Sequence, residues 1–197
     1  MSKSKIAIIG LGYVGLPLLI EFGKKYNVVG YDINKKKIEN LKKGIDETLI
    51  LSGKESNKLK RLELSCDEKD IKQCNVYIIT VPTPLNKKNK PDLSLIKNAS
   101  KVVGRSLHRK DLVIYESTVY PGVTEEICVP ILEKNSKLKY ENSQENANHR
   151  NIFYCGYSPE RINHGDNKHN IKNIKKVVSG SSKKIANKIN KLYKSII

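Results

Sequence analysis

The stretch that decides the fold is Lys5 to Leu18, "KIAIIGLGYVGLPL". Lys5 to Ile9 is a short apolar run rich in β-branched residues, and it stops at Gly10; this reads as a buried strand. From Tyr13 to Lys25 ("YVGLPLLIEFGKK") the apolar residues recur at helical spacing, and Lys24-Lys25 suit the negative end of a helix dipole. Pro17 falls near the first turn, where a missing N–H costs little. A strand that runs through glycines directly into a helix is the first half of a βαβ unit.

The glycines within that turn are spaced G-x-G-x-x-G: Gly10, Gly12 and Gly15. Gly10 permits the tight turn, Gly12 lets a pyrophosphate approach the backbone above the helix N-terminus, and Gly15 allows close helix–strand packing. The next segment, "NVVGYD" (27–32), reads as a second strand that ends on Asp32. An acidic residue at that distance accepts hydrogen bonds from an adenosine ribose. It also repels a 2′-phosphate, so NAD is expected over NADP, a preference that Lys35, Lys36 and Lys37 soften.

Further along, the periodicity keeps switching. Asn34 is placed to cap the helix "KKKIENLKKG", closed by Gly44. Ile45 to Lys60 is polar, read as a loop with a short helix. "RLELSC" (61–66), "NVYIITV" (75–81) and "DLVIYES" (111–117) read as strands, and a helix is predicted from Asp92 to about Leu107. "GVTEEICVPILEK" (122–134) predicts a helix that Pro130 kinks or ends. Residues 135–150 are polar and are expected to form an exposed insert. A strand through Cys155, a last strand in "IKKVVSG" (174–180) and a helix capped by Ser181 or Ser182 complete the pattern. Alternating strands and helices imply an α/β fold, a doubly wound, mostly parallel sheet of the Rossmann type, in one domain spanning 1–197.

Bulk properties narrow the function. The net charge is +17, yet of 37 basic residues only Arg61, Arg105, Arg109, Arg150 and Arg161 are arginines. Scattered lysines without interleaved aromatic residues describe a solvated surface, so no nucleic-acid partner is expected. No apolar run approaches the roughly 20 residues of a membrane span, and the N-terminus lacks a signal-peptide pattern; a cytoplasmic protein without membrane insertion is expected. Cys66, Cys74, Cys128 and Cys155 lie far apart with no C-x-x-C pair, which points to reduced thiols and no metal site.

Three more strand ends carry polar motifs. "VPTPL" places Thr83 between prolines, "ESTVYPG" presents Glu116, Ser117 and Thr118, and "YCGYSPERINHGD" (154–166) presents Ser158, Glu160 and Arg161. In an open parallel sheet ligands bind outside the carboxyl ends of strands, so these motifs converge on one crevice.

Together "IAIIGLGYVGLPL", "VGYDIN", "VPTPLNKKNKPDLS", "ESTVYPGVTEE" and "GYSPERINHGD" resemble the N-terminal domain of the UDP-glucose/GDP-mannose dehydrogenase family. The last motif is similar to the branch that oxidises UDP-N-acetylhexosamines for bacterial surface polysaccharides. The resemblance implies NAD-dependent oxidation of a C6 alcohol to a carboxylate, in enzymes that are homo-oligomers at full length. It implies that Gly10, Gly12, Val14 and Gly15 line the pyrophosphate, Asp32 the ribose, and Lys37 the adenosine end. Thr83 and Thr118 would contact the nicotinamide side. Glu160 would assist proton transfer at the substrate, with Thr118 also catalytic, and Arg161 would bind the sugar or its diphosphate.

There are departures. The sequence ends at Ile197, before the family's central helical and nucleotide-sugar-binding domains, and none of its cysteines lies in the family's glycine-rich nucleophile context. His164 stands where the family pattern has proline. The expectation is a domain that binds NAD but does not complete the four-electron oxidation alone; the alternative is a stand-alone NAD-binding module or an inactive remnant acting only through a partner.

Overall fold

Side-chain alternation along the central strands divides the interior into two packed layers. The computed structural model describes residues 4–48, 51, 53–141, 150–159 and 176–197. The first half of the chain runs β1 (Lys5–Ile9), α1 (Gly15–Gly23), β2 (Asn27–Tyr31), α2 (Lys35–Lys42), α3 (Gly53–Leu59), β3 (Glu63–Ser65) and β4 (Val76–Ile79). The second half runs α4 (Ser94–Ser106), β5 (Leu112–Tyr115), α5 (Val129–Ser136), β6 (Lys139–Tyr140), β7 (Ile152–Tyr157), β8 (Ser179–Gly180) and α6 (Lys183–Lys194).

Ile6 and Ile8 of β1, Ile78 of β4 and Ile114 of β5 face a layer built with α1, α2 and α6. Ala7 and Ile9, Tyr77 and Ile79, and Val113 and Tyr115 face the opposite layer, with α4 and α5. Every residue of β4 and β5 is buried, as expected of parallel strands covered on both faces. The sheet order is β3-β2-β1-β4-β5-β7-β6, all parallel, with β8 added antiparallel to β7. The order reverses between β1 and β4, which opens a crevice at their carboxyl ends.

Local chemistry explains most of the boundaries. Asn34 caps α2 by accepting the Lys37 N–H at 3.0 Å, and Gly44, at φ 80°, ends it. Ser182 rather than Ser181 caps α6, accepting from Ile185 N–H at 3.4 Å. Two expectations change. Pro130 neither kinks nor ends its helix: a π-helical turn over Val123–Cys128 precedes α5, and Val129 N–H bonds to Thr124 O. That wider register places Pro130 in the first turn of α5, where no intrahelical N–H is needed. The polar segment expected from 135 to 150 is not all loop. Ser136 still belongs to α5, and Lys139–Tyr140 pair in parallel with Ile152–Phe153, so the sheet gains a short edge strand. Residues 142–149 of that segment lie outside the described residues.

The cysteines are free thiols; Cys74, Cys128 and Cys155 are buried and Cys66 is exposed. Burial pushes the Cys74 thiol up to about 12 and lifts those of Cys128 and Cys155 as well. These three are therefore protonated packing residues at neutral pH, without the thiolate that nucleophilic attack requires.

Candidate functional site

The site begins at the turn after β1. Gly10 has φ +96°, and its N–H bonds to Tyr31 O at 2.8 Å, which ties the turn to β2. A Cβ on Gly15 would lie 1.9 Å from Gly10 O and 2.7 Å from Thr80 Oγ1, so only glycine permits this approach of α1 to the turn. Gly12 is different. A Cβ there would meet nothing within 4 Å, so packing within the protein does not demand glycine, and the backbone at this point is open to a ligand. At the start of α1, Val14 occupies the N-cap position and makes no side-chain cap bond, and Leu16 N–H bonds back to Gly12 O at 3.0 Å. The positive end of the helix dipole faces the glycine turn and favours a phosphate-sized anion there.

Asp32, at the end of β2, is buried to 8% exposure. Its Oδ2 accepts the Leu11 N–H and the Lys37 ammonium, each at 3.0 Å, and its Oδ1 accepts the Asn34 N–H at 2.9 Å. A carboxylate has about four acceptor positions, so these three donors leave capacity at Oδ1 for a ligand hydroxyl. Lys37 is committed to Asp32, which reduces its availability to a 2′-phosphate. Gly12 with open space above it, an uncapped helix end and a fixed carboxylate beside it fit an adenine dinucleotide.

The other half of the crevice is made where β4 and β5 end. A cleft of ≈ 550 Å³ lies between Tyr13 and Val14 on one side and Val81, Thr83, Glu116 and Thr118 on the other. Thr80 stitches the two halves: its hydroxyl contacts Gly10 O at 2.6 Å and Ile9 O at 3.1 Å. Ser117 Oγ donates to Val81 O at 2.5 Å, and Thr83 Oγ1 donates to Thr118 O at 2.5 Å. The two turns thus form one wall, latched by hydroxyl-to-carbonyl bonds.

Of the residues singled out in the sequence, Val14, Thr83 and Thr118 line this cleft; Gly10 joins it through Thr80, and Asp32 with Lys37 stands beside the glycine turn through the Leu11 N–H. β7 pairs with β5 so that Tyr157 stands beside Tyr115, and Ser158 N–H bonds to Tyr115 O at 2.9 Å. The chain therefore enters the SPER motif from the same edge of the sheet. Glu160, Arg161 and His164 lie outside the described residues. Thr80 had no sequence signal, because a threonine ending an apolar β-branched run reads as a strand former.

The family model described as "UDP-glucose/GDP-mannose dehydrogenase family, NAD binding domain" matches residues 4–197. The chain belongs to this family. As the family's NAD-binding domain it takes NAD as its cofactor. The UDP-N-acetyl-D-glucosamine 6-dehydrogenases of Pseudomonas aeruginosa and Salmonella typhi are 49% and 52% identical to this NAD-binding domain over 197 residues. Those alignments cover 100% of this chain and 44% of each relative. The solved structure of a UDP-D-ManNAc dehydrogenase from Pyrococcus horikoshii matches with a TM-score of 0.81 at 35% identity, over 98% of this chain and 45% of that one. The domain thus spans less than half the length of these dehydrogenases.

Proposed function

We propose that this chain is the cofactor-binding part of an NAD-dependent nucleotide-sugar 6-dehydrogenase that oxidises the C6 alcohol of a UDP-N-acetylhexosamine to the uronic acid. The product would serve surface polysaccharide synthesis in the cytoplasm, and the full-length protein would be a homo-oligomer. The observation that carries the reading is the glycine turn, with Gly15 packed against Gly10 O and Leu11 N–H bonded to the buried Asp32 carboxylate, at the point where strand order reverses.

When bound, NAD supplies the hydride acceptor for each of the two oxidation steps. The chain's own residues hold it. The Gly10–Gly15 loop and the start of α1 bind the pyrophosphate, with Val14 against it, and Asp32 takes the adenosine ribose. Lys37 steadies Asp32 at the adenosine end. Thr83 and Thr118 set the wall at the nicotinamide end, and the Thr118 hydroxyl would hold a water or substrate hydroxyl. Glu160 would receive the alcohol proton through water, and Arg161 would pair with the sugar or its diphosphate, whose oxygens suit a planar guanidinium. A nucleophile for the covalent intermediate would come from a later domain, since Cys74, Cys128 and Cys155 are buried and protonated and the exposed Cys66 follows the edge strand β3, away from the nicotinamide end.

Calorimetric titration of this chain with NAD and NADP tests the reading. NAD is expected to bind at least about tenfold more tightly, because a carboxylate at the ribose rejects a 2′-phosphate. Incubation with UDP-N-acetylglucosamine and NAD is expected to yield no NADH. Absence of NAD binding overturns the assignment, and sustained NADH formation overturns the placement of the nucleophile elsewhere.

A further inference from the structure

At the cleft wall, directly before the Ser117–Thr118 turn, stands a charged cluster to which the proposed chemistry assigns no role. Glu116 directly follows β5 with its side chain fully buried, at 0% exposure, and Lys176 beside it is at 4%. The Lys176 ammonium donates to Glu116 Oε2, and the Tyr193 hydroxyl of α6 donates to Oε1. Lys176 Nζ also stands 5.4 Å from the centroid of the Tyr193 ring. The same ring packs on Phe22 of α1, at 5.8 Å between centroids. Glu116 is therefore gripped by residues 60 and 77 positions later in the chain.

Burying an ion pair costs several kcal/mol of desolvation, and apolar side chains commonly fill such volume at lower cost. What a doubly bonded carboxylate offers instead is a fixed position. Glu116 N–H bonds to Ile79 O at 2.8 Å, and the two residues that follow make the cleft wall through Ser117–Val81 and Thr83–Thr118. We infer that Glu116, held by Lys176 and Tyr193, is a positioning residue for the nicotinamide end of the cleft: it fixes the Ser117–Thr118 turn and, through Thr83, the Pro82–Pro84 turn. The inference rests on reading the cleft as the dinucleotide site. It further ties that end of the cleft to α6 and α1.

The test compares two ligands. ADP occupies the Asp32 and glycine-loop side alone, whereas NAD also needs the Glu116 side. In calorimetry, Glu116→Gln is expected to weaken NAD about tenfold and Tyr193→Phe about threefold, the scale of losing one hydrogen bond to a charged group. ADP affinity stays within about twofold of the parent in both. Equal weakening of NAD and ADP, or no weakening of either, overturns the positioning role, since general loosening of the fold has no preference between the two. If Glu116→Gln does not fold, Tyr193→Phe carries the same comparison, because it keeps the ring and removes only the hydroxyl. A parent chain that binds neither ligand would instead sink the dinucleotide reading, and this inference with it.

Discussion

The two ends of the crevice are built by different means. The adenosine end comes from one βαβ unit: Gly10, Gly12 and Gly15 sit in one turn, and Asp32 reaches Leu11 across 21 residues. The nicotinamide end is assembled from separate segments. Its bonds join Thr83 to Thr118 across 35 residues, Ser117 to Val81 across 36, and Glu116 to Tyr193 across 77. The first end is local, rigid and set by backbone geometry. The second depends on β5 lying between β4 and β7, and on α6 folding back against the strand that carries Glu116. Perturbations of the first should behave as changes of loop geometry, and those of the second as changes of alignment.

The largest effect on cofactor binding is expected from Gly15→Ala. Its Cβ meets Gly10 O at 1.9 Å, so the turn must open. Overpacking against backbone should cost about 3 kcal/mol in urea unfolding and abolish measurable NAD binding. Gly12→Ala separates the two effects at the same turn. With no atom within 4 Å of its Cβ, unfolding should shift by less than about 0.5 kcal/mol. NAD binding should nevertheless fall at least about tenfold in calorimetry, through a clash with the pyrophosphate. A stability loss equal to that of Gly15→Ala would break the distinction between packing and ligand-facing glycines.

Thr80→Val tests the stitch between the ends. It keeps shape but removes the hydroxyl that contacts the Ile9 and Gly10 carbonyls, so unfolding should ease by about 1–2 kcal/mol and NAD affinity fall severalfold. Ser117→Ala, confined to the far wall, should weaken NAD by about threefold while leaving ADP unchanged in the same titration. An ADP loss of equal size would show that the two ends are not separable.

The smallest effect on the cleft is expected at the opposite end of the sheet. Asp111 is buried before β5, where it accepts the His108 N–H at 2.7 Å. Burial pushes its carboxyl up to about 6 from an ordinary 3.8, against the opposing pull of that hydrogen bond and of the His108 and Lys188 charges. Between those values the folded chain holds a proton that the unfolded chain releases. The resulting contribution to stability is full below about 3.8 and is lost as pH rises through about 6. Asp111→Asn carries no such charge, so its melting temperature relative to the parent should rise between pH 4 and pH 7, with NAD affinity unchanged. A flat difference across that range would remove the burial argument.

The contrast between the ends also marks what was legible beforehand. Short apolar, β-branched runs announced β1, β2, β4 and β5, and Asn34 and Gly44 announced the limits of α2, because each signal sits within a few residues of what it controls. The glycine turn and Asp32 were readable for the same reason. Lys176 and Tyr193 were not. A lysine before a valine pair and a tyrosine on a lysine-rich helix carry no local sign of a carboxylate that lies 60 and 77 residues away. Pro130 was read by its ordinary effect on an α-helix, and the π-helical turn before it changed the register that the rule assumes. The polar stretch after Asn135 hid Lys139–Tyr140, since two residues are too few to show a period of two.

By itself, then, the sequence determined the alternation of strands and helices, the phosphate-facing turn and the acidic residue beside it. Backbone sterics and hydrophobic periodicity act over a turn or a strand, and they leave their mark in adjacent letters. Only the tertiary structure decided which strand ends meet, that Thr80 joins the two halves, and that Glu116 is gripped from α6. Those outcomes follow from a sheet whose spatial order, β3-β2-β1-β4-β5-β7-β6, departs from chain order. Contacts across it are set by the burial of whole strands between two layers, which no short window of residues encodes.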